Sequence, residues 1–296
     1  MTFLARFACL WCGSDWQTRG PDDLEGWARL CPTCLGRAQE NPFLARRLRA
    51  GIVARGAGRA VAPAAAGDAS GPDALEAAAA AWLGATVAEQ EDWILRRGRY
   101  ARGPVRDLAW SAELDGLTGF LDALPPAATV LEPAAGPGFW SPLLAGKGEL
   151  SVLEATEDAL DRARDRLVAH GLRAHLHLRA PWAVPETPSA LVVLAFRLCH
   201  VPDARLAARC AALRAMVAPG GRLAIVERAG DPETDAPDDP PAVDGVARRR
   251  LPDGRELAIP LVARPAADLA DALRAAGFVD VTARSTGRFF HLLTAV

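Results

Sequence analysis

The sequence is nearly without lysine: of 34 basic residues only Lys147 is one. It has one tyrosine and two methionines, and aromatic residues make up 6% of the chain. No apolar run reaches the roughly 18 to 20 residues that cross a bilayer. The nearest, Ala74 to Ala88, is alanine-rich, carries Glu76 and reads as an ordinary helix. A clean apolar leader is also missing, since Arg6 and two nearby cysteines stand where one would be, so the expected location is cytoplasmic. Neither sign of charge dominates: 34 basic against 36 acidic residues leave a net −2, which excludes a generally basic nucleic-acid binder. The arginine and alanine bias reads as codon usage and carries no function. What is present is ordinary, with 50% apolar and 24% charged residues over 296 positions, enough for a sizeable core and about two domains.

Four of the six cysteines fall within the first 34 residues, so residues 1–50 read as one small module. Residues 51–72, rich in alanine, glycine and proline, have linker composition. The remainder, 73–296, opens with a helical lead-in over 73–103 that runs from Pro72-Asp73 past Trp93. Strands and helices then alternate. Strands are expected at Ala128–Glu132, Leu150–Glu154, Ala174–Leu178, Ala190–Phe196 and Arg222–Glu227. Helices are expected at Thr156–His170, with Leu160, Ala163 and Leu167 at helical spacing, and at Ala204–Val217, which Pro219-Gly220-Gly221 ends. A helix over Ala266–Ala276 and two strands, Val279–Arg284 and Arg288–Thr294, close the chain. This is an α/β pattern, a seven-stranded mixed sheet with helices on both faces and an antiparallel final pair. Between Asp231 and Asp244 six acids and four prolines stand without a base. Such a stretch builds no core and reads as a solvated loop, with a lid role as the alternative.

Cys9-Leu-Trp-Cys12 and Cys31-Pro-Thr-Cys34 form two C-x2-C pairs separated by eighteen residues. That spacing suits a tetrahedral zinc site, because two intervening residues let both thiolates of a pair reach one ion at about 2.3 Å. Four thiolates leave no open position, so the metal would be structural and would hold a module too small to fold by burial alone. Disulfides are the alternative and need an oxidising compartment. Two uses of this zinc-ribbon-like module stay open. One is RNA docking through the five arginines between Arg46 and Arg59; the other is a structural cap.

After the first strand comes Val130-Leu-Glu132-Pro-Ala-Ala-Gly136-Pro-Gly138-Phe-Trp140. Glycines at 136 and 138 let a backbone approach a ligand closely. The third glycine of a dinucleotide fingerprint is absent. Glu154, ending the second strand, is placed to accept hydrogen bonds from a ribose diol. Glu132, ending the first, repels a pyrophosphate and suits a cationic ligand such as the methionine end of S-adenosylmethionine.

With these motifs the region 90–296 resembles the class I S-adenosylmethionine-dependent methyltransferases, whose fold is Rossmann-like. VLEPAAGPGFW resembles the first motif, LSVLEAT the acidic second motif, and ALVVLAFRLCHVPD followed by LRAMVAPGGRLAIVE the fourth strand and its helix. LPDGRELAIP, LRAAGF and TGRFFHLL resemble the C-terminal part of a bacterial subgroup. The resemblance implies that Ala134, Gly136 and Gly138 line the methionine moiety, Glu154 takes the ribose, and Ala155 lies along the adenine, with Phe196 in the same set. In the third motif Arg179 stands where an acid is usual, leaving backbone contacts from Arg179 and Ala180 and apolar cover from Trp182.

The sulfonium methyl is already electrophilic, so the protein need only position an acceptor and, in some cases, remove a proton. His200 is the candidate general base, or else orders its own turn. Arg197 either clamps an acidic substrate or forms a surface salt bridge. Tyr100 is either a lid residue over the cofactor or a packing residue. Cys199 and Cys210 lack partners at ligand spacing and read as buried apolar residues, and His170, His175 and His177 as structural. No N-P-P-Y or D-P-P-Y follows the fourth strand and no Pro-Cys occurs, which argues against methylation of DNA bases. The expectation is transfer to a small-molecule acceptor. RNA methylation and non-catalytic S-adenosylmethionine binding are the alternatives.

Overall fold

The computed structural model describes residues 71–87, 90, 104–229, 242–251 and 253–296; residues 6–8, 15–17, 33 and 104–108 are described by secondary structure alone. The chain divides into two compact units, Met1–Gly67 and Asp68–Val296. In the first, strands β1 (Arg6–Ala8) and β2 (Asp15–Gln17) pair antiparallel, so the stretch joining them carries Cys9 and Cys12. The four cysteines themselves lie outside the described residues, as do Tyr100, Arg46 to Arg59 and residues 230–241 of the acidic stretch.

The second unit holds a seven-stranded sheet in the order β10-β11-β7-β6-β3-β4-β5. Its strands are β3 (Thr129–Pro133), β4 (Glu149–Glu154), β5 (His175–Leu178), β6 (Ser189–Ala195), β7 (Val217–Arg228), β10 (Thr282–Ser285) and β11 (Phe290–Ala295). The first five run parallel, and β11 pairs antiparallel with both β7 and β10. Continuous apolar runs such as Leu191–Leu194 are buried on both faces, as parallel central strands must be. Helices α2 (Pro104–Asp122), α3 (Ser141–Ala145) and α4 (Glu157–Ala169) cover one face through Leu117, Leu121, Leu144 and Leu167. Helices α5 (Asp203–Met216) and α6 (Ala266–Ala275) cover the other through Leu213, Leu269 and Leu273. Helix α4 shows why such a segment folds locally. Thr156 caps it by accepting from the Ala159 amide, Glu157 and Asp158 favour its positive end, and Ala159, Leu160, Ala163 and Leu167 form its buried stripe.

Four features differ from the expectations. Helix α1 (Pro72–Ala85) breaks at Thr86, which turns its hydroxyl back onto the Trp82 carbonyl at 2.8 Å and leaves helical geometry. Val87 and Gln90 are helical again, with the Gln90 amide donating to Thr86 O at 3.0 Å, and Trp93 lies outside the described residues. Helix α2 lies outside the expected elements, although Trp110, Leu114, Leu117 and Leu121 form its buried stripe. Pro219-Gly220-Gly221 does not separate helix from strand. Strand β7 begins at Val217, and the PGG stretch bulges between its pairings with Ser189 and Leu191, with Gly220 at φ +72. A hairpin, β8 (Val246–Arg250) with β9 (Glu256–Pro260), follows the acidic stretch and packs Ala247 and Ile259 against Ala79 of α1.

Candidate functional site

The chain turns sharply at the C-terminal end of β6. Phe196 takes φ +54, an uncommon angle for a side-chain-bearing residue, and donates its amide to Val226 O at 2.8 Å. A tight turn, Leu198–His200, follows and is held from two sides. The buried Glu227 carboxylate accepts from the amides of Leu198 (2.7 Å), Cys199 (3.2 Å) and its own neighbour Arg228 (2.8 Å). Burial still pushes its pKa up despite these three donors. From the other side, buried Arg264 donates to Leu198 O and Val201 O, both at 2.6 Å, and to Asp203. The Val262 amide donates to Cys199 O at 2.8 Å. Both clamps escaped sequence reasoning. Glu227 at least closes an apolar strand, whereas nothing in its neighbourhood marks Arg264.

This turn presents His200. Its Nδ1 lies 3.0 Å from Pro260 O, which can only accept, so Nδ1 carries the proton and Nε2 is left as an acceptor. Burial foremost pushes its pKa down to about 3, and Arg197, Arg228 and Arg249 add to that. The ring is therefore neutral at physiological pH. It is ill-suited to storing an abstracted proton, which counts against the general-base expectation. Cys199 and Cys210 are buried free thiols, as expected, and burial raises both pKa values, that of Cys210 to about 11.

The loop after β3 places Ala134, Gly136 and Gly138 at φ +55, +61 and +68. Glu154, buried at the end of β4, accepts from the Gly136 amide at 2.5 Å and the Ala155 amide at 2.9 Å. Arg197 is buried too. Its Nε donates to Ala134 O at 2.9 Å and an Nη lies 3.4 Å from Glu154, so it ties loop, strand and turn together. At 8% exposure it is not a surface salt bridge.

Two of the expected ligand residues, Gly138 and Glu132, make close contacts within the protein. A side chain at Gly138 would meet Ala163 of α4 at 2.6 Å, so this glycine lets the helix pack close. At Gly136 it would meet Gln90 Oε1 at 3.0 Å and Arg197 at 3.2 Å, on the cavity side. Glu132 turns away into the core, where Ser141 donates to it at 2.5 Å. Burial, with the neighbouring Glu154 adding, raises its pKa to about 8.

Helix α1 roofs the space between these parts. Positions 73, 76, 77, 80, 83 and 84 repeat at helical spacing along its cavity face, with Ala79 beside them and Val87 just past its end. Glu76 binds Arg209 of α5 with both carboxylate oxygens, Asp73 pairs with Arg205, Trp82 packs on the His200 ring at 5.7 Å, and a side chain at Gly84 would meet Thr156 at 2.7 Å. The cavity beneath measures about 320 Å³. Of the expected site residues, Gly136, Glu154, Ala155, Ala180, Arg197 and His200 line it, and Trp182 joins them. Glu132, Ala134, Gly138, Phe196 and Arg179 do not. The amide of Arg179 is taken by Glu154 O at 2.8 Å. Among the described residues no group of histidines, cysteines and acids could hold a metal, and no helix is long and apolar enough to cross a membrane.

Residues 130–221 match the methyltransferase domain family. Among solved structures, a DhpI complex with SAH is 25% identical and covers 75% of this chain and 96% of its own, with TM-score 0.56. A DhpI complex with SAM and HEP is 26% identical, covers 75% and 97%, and gives 0.57. The Burkholderia thailandensis 1,6-didemethyltoxoflavin-N1-methyltransferase, bound to 1,6-didemethyltoxoflavin and S-adenosylhomocysteine, is 17% identical, covers 80% and 92%, and gives 0.50. No curated protein sequence matches the chain. The seven-stranded mixed sheet is thus the Rossmann-like sheet of the class I methyltransferases.

Proposed function

We propose, on the premise that this chain is an S-adenosylmethionine-dependent methyltransferase, that its acceptor is a small molecule bound beneath helix α1. The observation that carries this reading is the roofed cavity on which Gly136, Glu154 and His200 converge. With α1 forming one wall, a cavity of about 320 Å³ is sized for a compact ligand and not for a folded polynucleotide.

The residues fit the cofactor. Gly136 leaves the wall bare where a side chain would crowd Gln90 and Arg197. Glu154 keeps acceptor capacity for a ribose diol beyond its present donors. Ala155, Ala180 and Trp182 offer apolar cover to a purine. Bound there, S-adenosylmethionine supplies a methyl on a sulfonium, an electrophile that needs only an aligned lone pair. Arg197 fixes the orientation of Glu154. His200, neutral and anchored through Nδ1, uses Nε2 to accept a hydrogen bond from the acceptor's N–H or O–H and so aims its lone pair. In the first unit, Cys9, Cys12, Cys31 and Cys34 hold one structural zinc. The pairing of β1 with β2 on either side of the first C-x2-C supports that assignment.

Incubation with methyl-labelled S-adenosylmethionine and fractionated extract tests the reading. Label is expected in the small-molecule fraction. Label in RNA would overturn the acceptor assignment, and S-adenosylhomocysteine affinity unchanged by Glu154→Ala would overturn the cofactor site. The expected loss for that variant is about tenfold, from one charge-assisted hydrogen bond.

A further inference from the structure

Arg179 leaves the usual stretch after β5 without an acid, and its own amide is spent on Glu154 O. The end of the cavity farthest from Gly136 along the roof is nevertheless polar. Glu76 projects there from the first turns of α1 and is half-enclosed, with 12% of its side chain exposed. Arg209 of α5 meets it with both Nε, at 2.7 Å, and an Nη. The same guanidinium lies over the Trp182 ring, 5.4 Å from its centroid. An acid, a guanidinium and an indole therefore occupy one corner, joined through Arg209, beside Ala180.

The chemistry of that corner is directional. A carboxylate accepts and a guanidinium donates. The outer edge of adenine presents the complement, an exocyclic amine that donates beside a ring nitrogen that accepts. Two of the five N–H groups of Arg209 go to Glu76, and each oxygen of Glu76 retains a lone pair beyond its Arg209 bond. Trp182 supplies the apolar surface against which a purine ring can rest.

We propose that the Glu76–Arg209 pair reads the edge of the cofactor's purine, Glu76 accepting from its amine and Arg209 donating to the adjacent ring nitrogen. This rests on the cofactor reading above. The roof helix then acts twice, since α1 covers the cavity and also carries a recognition group into it.

The test compares S-adenosylhomocysteine with S-inosylhomocysteine, in which a carbonyl replaces the amine and the ring nitrogen becomes a donor. Calorimetric titration of the full chain is expected to show a preference of about tenfold or more for the amine, as for one charge-assisted hydrogen bond. In Glu76→Gln, whose amide can either accept or donate, the preference should fall to about twofold or less. Glu154→Ala should weaken both ligands equally and keep the preference. If Glu76→Gln weakens both ligands by one common factor, the pair only fastens the roof and the proposal fails. If the wild type shows no preference, nothing reads the amine and the proposal also fails. If the wild type binds neither ligand, the cofactor reading itself falls. Should Glu76→Gln not fold, Arg209→Lys is measured in the same way and decides by the same ratio.

Discussion

Replacing Glu132 by glutamine should make the protein more stable in alkaline solution. The carboxyl is 3% exposed, is hydrogen-bonded by Ser141, and lies in the field of Glu154. Burial raises its pKa from 4.5 to about 8. A carboxyl raised in this way keeps its proton in the fold while the unfolded chain releases it. Its stabilising effect is therefore whole below the unfolded value and is lost as pH climbs from about 4.5 to about 8. Fully expressed, that loss is on the order of 5 kcal/mol at pH 9. Glutamine has the same shape, keeps an oxygen for Ser141 and cannot ionise. In a domain of this size each kcal/mol moves the melting temperature by about 2 to 4 °C. Thermal melts across pH should thus show variant and wild type nearly coincident at pH 5. By pH 9 the variant should lead by on the order of 10 °C. Glu227 and His200 also titrate abnormally, but they are common to both proteins and cancel in the difference. A gap that stays constant with pH, or one that favours the wild type as pH rises, would refute the reasoning and mean that Glu132 is ionised in the fold.

Gly138→Ala should lower stability by on the order of 2 to 5 kcal/mol, from its positive φ and the approach to Ala163, while the folded fraction keeps its affinity for S-adenosylhomocysteine; a normal melt would overturn this packing role. The pH–rate profile should lack a limb near pH 6 to 7, because His200 stays neutral down to about pH 3, and a limb there that vanishes in His200→Gln would restore it as a general base. Metal analysis of freshly purified protein should find about one zinc per chain, lost in Cys12→Ser, and metal-free protein with titratable thiols would sink the zinc assignment.

How far the sequence reveals this molecule depends on the range of the interactions concerned. Strands β3, β4 and β6 are apolar runs closed by Glu132, Glu154 and Phe196, a local signal legible without any contact. Helix α4 carries its cap, its acidic first turn and its stripe within thirteen residues. By contrast, the roles of Gly136 and Gly138 look alike in the sequence. They separate only through Ala163 and Gln90, which lie far along the chain. Arg197 was legible as a functional position but not as a tie, since its partners Ala134 and Glu154 arrive from other strands. Arg264 and Glu227 reach the 198–203 turn from beyond β9 and from β7, and no local pattern encodes such clamps. The alanine-rich composition of α1 announces a helix, but its service as a roof depends on Arg209, His200 and the β8–β9 hairpin.

That dependence sets an order of events during synthesis. Helix α1 is among the earliest parts of its unit to leave the ribosome, and alanine gives it helical tendency on its own. Arg209, which holds Glu76, is 133 residues away, and the hairpin strand carrying Ile259 emerges later still. Loops of that length close slowly, after nearer contacts have formed. The nascent helix therefore lacks the full set of these partners until strands β3 to β7 have been synthesised.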